Sequence, residues 1–328
     1  MPALKIGVIG LGHLGSLHAK MLSTAEGATL TAVYDIISET STRVAEEYGS
    51  RAAVDFDDLL DSVDALSIAT PTSLHFDIAA EAIRRGKPVF LEKPITETVE
   101  QARELNALAR KHAVAIQVGH IERFNPAIVA LDGYGIAPLF VESHRLAQFN
   151  PRGTDVAVVL DLMIHDIDII LSLVRSDVVS IDASGLAVVS DTADIANARL
   201  KFANGCVANI TASRISQNRL RKMRLFQKNA YISIDFLQGL AEVFRLVDAD
   251  DSSVSPTYML GMIEQGKNKR NIIFEQPPVP QNHNPLKYEL QLFVNAVRNG
   301  TPPVVDGVAA QQALEVAEEI VRMITTSR

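Results

Sequence analysis

Residues 5–15 read Lys5-Ile6-Gly7-Val8-Ile9-Gly10-Leu11-Gly12-His13-Leu14-Gly15, a short apolar run that ends in three spaced glycines. The pattern fits a strand, a tight turn and the opening of a helix. In that context the first glycine permits the turn, the second lets the backbone approach a pyrophosphate, and the third allows close packing of helix on strand. The helix N-terminus offers unpaired amides and a positive dipole end to an anion. Asp35 stands at the end of the next apolar run, where its carboxylate can accept hydrogen bonds from ribose hydroxyls and repel a 2′-phosphate. The nearest basic residue downstream is Arg43. The expected cofactor is therefore NAD rather than NADP.

Working outward, apolar runs at residues 5–10, 29–35, 64–70, 88–93 and 113–119 alternate with stretches of helical period. Runs of this length without polar alternation are expected when helices cover both faces of a parallel sheet. The pattern changes after residue 120. A helical segment at 156–173 precedes strand-like runs at 179–190, 195–202, 206–214, 223–227, 230–236 and 241–247. Strands in succession imply a mostly antiparallel sheet. Helices are expected at 288–297 and 309–324, separated by the turn-rich 299–303, and loops at 248–255 and 277–285. The fold class is α/β: a doubly wound parallel sheet over 1–120, then an α/β domain with a large, open, mostly antiparallel sheet over 121–328.

A chain of 328 residues has length for two cores. It is 47% hydrophobic and 21% charged, with a net charge of −8, the profile of a globular protein with no nucleic-acid or membrane partner. The first residues run into an apolar segment without a basic leader, which reads against a secretory signal and for a cytoplasmic protein. Cys206 is the single cysteine, so there is no intramolecular disulfide and no multi-cysteine metal site. No metal is expected.

Two further segments carry chemistry. Ala69-Thr70-Pro71-Thr72-Ser73-Leu74-His75 follows one strand, and Glu92-Lys93-Pro94 follows the next, both at the carboxyl edge where parallel sheets bind ligands. A lysine there can hold an alcohol oxygen and stabilise it as it loses its proton; taken alone, it reads first as a solvated side chain. Asp161 and His165 lie four apart and share a helix face. The carboxylate can orient the imidazole, which can then accept a hydroxyl proton; the alternative is a buried structural histidine. Asp166 is expected on the helix exterior, Asp168 on its surface or behind the reacting groups, and His13 and His18 in packing or solvent.

The motifs GLGHLG, the acid after the second run, ATPTSLH, EKP, GHIERFNPA and DLMIHDID, in this order, resemble the Gfo/Idh/MocA oxidoreductase family, and the resemblance extends to the closing ELQLFVNAVRNGTPPVVDG. It implies an NAD-dependent dehydrogenase acting on a secondary alcohol, with Lys93, Asp161 and His165 in the substrate pocket and catalytic. Cofactor contacts are expected from Gly10, Gly12, His13, Leu14, Gly15, Asp35, Thr70, Pro71, Thr72, His75, Glu92 and Lys93. The sheet of the second domain is expected to make dimer or tetramer contacts. GHIERFNPA and PRGTDV look like the subgroup that oxidises C3 of UDP-N-acetylglucosamine. A UDP-sugar needs cations for its pyrophosphate. Arg123 and Arg152 are the expected contacts, with Arg145, Arg214, Arg219, Arg221 and Arg224 also available or else engaged in ion pairs. A dehydrogenase of a free polyol such as an inositol, and a non-catalytic NAD-binding regulator, are the alternatives.

Overall fold

The computed structural model describes residues 2–150, 156–249, 258–265, 268–281 and 283–326. Contacts divide the chain into two units, residues 1–124 with 284–315 and residues 125–283 with 316–328.

In the first unit the apolar runs become β1 (Leu4–Ile9), β2 (Ala28–Tyr34), β4 (Ala65–Ile68), β5 (Val89–Glu92) and β6 (Ile116–Gly119), joined by a two-residue β3 (Arg51–Ala52) that the pattern does not reveal. All pairings are parallel and the order is β3-β2-β1-β4-β5-β6, so strand order reverses between β1 and β4. In such sheets that reversal opens a crevice at the carboxyl ends of the strands. The intervening helices are α1 (His13–Leu22), α2 (Ser38–Tyr48), α3 (Phe56–Ser62), α4 (His75–Arg84) and α5 (Val99–His112). α5 begins with a capping box, in which Thr98 and Gln101 each satisfy the other's backbone amide.

The single cut between residues 120 and 121 does not describe this packing. After α6 (Pro126–Val129) and α7 (Ile164–Val174), the chain forms α8 (Pro285–Asn299). Leu286, Leu290, Phe293 and Val294 of α8 enter the same core as Ile6, Val8, Leu22 and Phe90. Phe293 meets Phe90 edge-on at 5.8 Å. Burying these side chains, each worth roughly 1.5–3 kcal/mol of transfer free energy, returns a distant segment to the first unit. α9 (Gly307–Thr326) gives its first part to that unit and its last part to the second.

The second unit holds β7 (Phe140–Leu146), β8 (Val178–Leu186), β9 (Ile195–Phe202), β10 (Val207–Ser213), β11 (Leu220–Gln227), β12 (Ala230–Asp235), β13 (Leu240–Asp248), β14 (Tyr258–Gln265) and β15 (Asn268–Glu275). They form one sheet in the order β14-β15-β13-β12-β11-β7-β10-β9-β8, antiparallel except where β7 meets β10. β9 alternates strictly, burying Ala196, Ala198, Leu200 and Phe202. β7 alternates too, but its inward residues are Val141, Ser143 and Arg145, and two polar side chains on the buried face hide the strand from a hydrophobic reading. Among the described residues no helix is long and apolar enough to cross a membrane.

Candidate active site

At the carboxyl end of β1 the chain turns at Gly10, whose φ is +80°. A β-carbon there would lie 2.8 Å from the Ala69 carbonyl oxygen, so only glycine fits both the dihedral and the space. One at Gly15 would lie 1.7 Å from the Gly10 carbonyl oxygen, because α1 packs on its own turn. Gly12 differs: apart from its own chain neighbours, no protein atom lies within 4 Å of the place its β-carbon would take. Gly10, Gly12, His13, Leu14, Asp35, Thr70 and Pro71 all line one cavity of about 630 Å³.

The cavity's lining suits a dinucleotide. Asp35 Oδ2 accepts from the Leu11 amide at 2.6 Å and Oδ1 from the Ile37 amide at 3.0 Å, which fixes the carboxylate while leaving lone pairs for two hydroxyls. Ile36 and Ile37 are 89% and 55% exposed beside it, apolar surface of the kind a flat base covers. Thr70 Oγ1 is buried without a hydrogen-bond partner in the protein, an orphan that a bound ligand would satisfy.

Other expected residues take different places. Thr72 sits in a 3₁₀ turn, Thr72–Leu74, that leads into α4. His75 is 1% exposed, with Nδ1 at 2.9 Å from the Pro94 carbonyl oxygen and Nε2 at 3.0 Å from that of Thr70. Both nitrogens face backbone carbonyls, and the neutral ring donates to one of them. Burial pushes its pKa down, opposed by the two carbonyls and the Glu92 charge. Glu92 is held by His18, whose Nε2 lies 2.9 Å from Glu92 Oε1 and whose Nδ1 lies 2.9 Å from Ser67 Oγ. His18 and Ser67 are fully buried, and no local pattern in the sequence marks them as a pair with Glu92. Lys93 follows at the edge of the sheet, half-buried, before a cis Lys93–Pro94 bond. Arg123 lies in the 3₁₀ turn Ile121–Phe124 after β6.

In the second unit Asp161 belongs to a π-helical turn, Val159–Met163, that runs into α7, where His165 is the second residue. Both are half-buried. Such single π turns recur at functional positions in helices.

Two expectations need correction. Asp166 is not on the helix exterior: it is 1% exposed, its Oδ2 accepts from Arg145 Nε at 2.6 Å and its Oδ1 from Ser143 Oγ at 2.9 Å. Asp168 is also 1% exposed, which corrects the first of its two expected places, the helix surface, and not the second. A buried carboxylate opposite a buried guanidinium is held inward by the need to pair both charges. The same pairing removes Arg145 from the cations available to a pyrophosphate. Arg214, against Asp194 at 3.2 Å, and Arg224, against Glu142 at 2.6 Å, are engaged as well. Arg152 lies outside the described residues.

The parallel sheet, its glycine turn and the cavity beside Asp35 define a dinucleotide-binding oxidoreductase fold. The chain belongs to the Gfo/Idh/MocA oxidoreductase family: residues 4–120 match the family's NAD-binding Rossmann fold and residues 140–233 its C-terminal domain. It is 36% identical over 319 residues to UDP-N-acetylglucosamine 3-dehydrogenase of Acidithiobacillus ferrooxidans, covering 97% of this chain and 96% of that one. The solved structure of that enzyme superposes with a TM-score of 0.88 over 99% of both chains. The scyllo-inositol 2-dehydrogenase (NAD(+)) of Bacillus subtilis is 27% identical over 95% of this chain and 92% of its own.

Proposed function

We propose that the protein oxidises the C3 hydroxyl of UDP-N-acetylglucosamine to a ketone. The observation that carries the reading is similarity across nearly the full length of both chains to an enzyme of that name. NAD, when bound, supplies the acceptor for the hydride that leaves the alcohol carbon. His165 accepts the hydroxyl proton, Asp161 keeps its imidazole oriented, and the Lys93 ammonium holds the oxygen as negative charge develops on it. Gly10, Gly12 and the opening of α1 receive the pyrophosphate of the cofactor, and Asp35 the adenosine ribose. In this reading the first unit binds NAD, the second binds substrate and mediates a homo-dimer or homo-tetramer, and the protein acts in the cytoplasm. Arg123 and Arg152 serve the substrate's pyrophosphate.

A second reading, oxidation of a free polyol, is favoured by the inositol dehydrogenase relative and by the ion pairs that occupy Arg145, Arg214 and Arg224. Steady-state kinetics with UDP-N-acetylglucosamine, free N-acetylglucosamine and myo-inositol distinguish the two. If nucleotide binding aligns the reacting carbon, catalytic efficiency falls steeply without UDP. Faster turnover of either free compound overturns the first reading.

A further inference from the structure

We infer that two buried histidines, His18 and His75, act as positioning residues for Lys93 by clamping the residues on either side of it. The inference rests on the reading of Lys93 as the group that meets the substrate oxygen, and it adds residues that this reading does not use.

On one side is Glu92. A carboxylate only accepts hydrogen bonds, so the proton between His18 Nε2 and Glu92 Oε1 is on the ring, and the 2.9 Å contact fixes the tautomer. The other nitrogen, Nδ1, lies 2.9 Å from Ser67 Oγ, a hydroxyl that can donate or accept. The three groups come from α1, β4 and the end of β5, so the chain ties the helix that opens the glycine turn to the strand that carries the lysine. The ring is 0% exposed and stands edge-on to Phe90 at 5.4 Å, which leaves it no room to swing. The carboxylate also passes over Gly119, where a β-carbon would lie 3.1 Å from Oε1.

On the other side is Pro94. Its carbonyl oxygen lies 2.9 Å from His75 Nδ1, and the opposite nitrogen of the same ring lies 3.0 Å from the Thr70 carbonyl oxygen. A neutral ring donates to only one of these two carbonyls at a time, so His75 packs between the loop after β4 and the loop after β5 and hydrogen-bonds one of them. A lysine side chain has four rotatable bonds and places its ammonium poorly unless its backbone is fixed. Two independent buried rings thus engage the Glu92 side chain and the Pro94 carbonyl on either side of residue 93 and restrain the segment that carries it.

The test is a set of variants read for kcat, KM, NAD affinity and thermal stability. His18→Leu removes both ring contacts. His18→Gln returns a donor near the Nε2 position, and His18→Asn one near Nδ1 only. His75→Phe keeps a ring and removes its nitrogens. Gly119→Ala presses on the Glu92 carboxylate, which must give by a few tenths of an ångström, without changing a charge. His18→Leu and His75→Phe are expected to lower kcat by about a hundredfold, the scale of a roughly 1 Å misplacement, with NAD affinity little changed. His18→Gln recovers most of that loss, whereas His18→Asn does not, and Gly119→Ala lowers kcat in the same direction but by less than His18→Leu. Equal losses in His18→Gln and His18→Leu, or losses that simply follow melting temperature, overturn the inference.

A second measurement separates this from the substrate assignment. Reductive ¹³C-methylation gives Lys93 a dimethylamine resonance, assigned by its absence in Lys93→Arg. If the parent protein turns over none of the sugars, the reading of Lys93 as a substrate contact fails. The positioning role is then judged by this signal alone: movement toward the solvated lysines in His18→Leu but not in His18→Gln supports it, and an unchanged signal overturns it.

Discussion

Asp166→Asn is expected to destabilise the second unit severely. The Arg145 and Asp166 side chains are each only 2% exposed, and they are joined by contacts of 2.6 Å and 3.3 Å, with Ser143 Oγ at 2.9 Å on the same carboxylate. Asparagine fills the same volume but removes the carboxylate charge that faces the buried guanidinium. Removing one partner of a buried pair costs about 3–5 kcal/mol. For a unit of roughly 150–250 residues each kcal/mol lowers Tm by about 2–4 °C, so a fall on the order of 6–20 °C is expected. Replacing both partners with apolar residues, Arg145→Met with Asp166→Leu, leaves no stranded charge and is expected to be less destabilising than Asp166→Asn alone, since such replacements are often neutral. Circular dichroism melts and urea titrations of the parent, both single variants and the double variant measure the coupling. A loss below about 1 kcal/mol in Asp166→Asn, the range of solvent-exposed pairs, or a double variant as unstable as the sum of the singles, refutes the reasoning.

Titration calorimetry of the parent protein is expected to show tighter binding of NAD than of NADP, and Asp35→Ser should narrow that ratio by at least about tenfold, or 1.4 kcal/mol; equal affinities in the parent rule out the role given to Asp35. Gly15→Ala should abolish NAD binding or folding, because its β-carbon would lie 1.7 Å from the Gly10 carbonyl oxygen, and a variant that binds NAD like the parent contradicts that contact. Lys93→Ala and His165→Ala should each lower turnover at least about a hundredfold with NAD affinity intact; joint loss of affinity and stability would make the residue structural. Burial raises the Asp194 pKa, but the amides of Val189 and Val188 and the Ser190 hydroxyl and amide outweigh it and bring it from 3.8 to about 2. Its folded pKa is depressed, so the unfolded chain takes up the proton first. The stability, about 2 kcal/mol, is therefore present above pH 3.8 and lost as pH falls toward 2. Asp194→Asn should flatten that window in acid titrations followed by circular dichroism, and an unchanged slope would show that the carboxylate does not carry it.

The parallel sheet was legible because its evidence is local. Each of β1, β2, β4, β5 and β6 is an apolar run bounded by turn residues, and the glycine turn carries its chemistry within residues 10–15. β7 was not legible, since Ser143 and Arg145 face inward only because Asp166 waits there. β14 and β15, at one edge of the sheet, also escaped the reading.

Sequence by itself determined the alternation of β1, β2, β4, β5 and β6 with helical stretches, the dinucleotide turn, the acid at its edge and the family resemblance that points to Lys93, Asp161 and His165. Tertiary structure alone decided that α8 returns to the first core, that Asp166 is buried, and that His18 meets Glu92 and His75 the Pro94 carbonyl on either side of Lys93. Hydrophobic period and turn chemistry are properties of neighbouring residues. Partnerships such as His18 with Glu92, 74 positions apart, exist only once packed strands and helices exclude water and leave each buried polar group to find another.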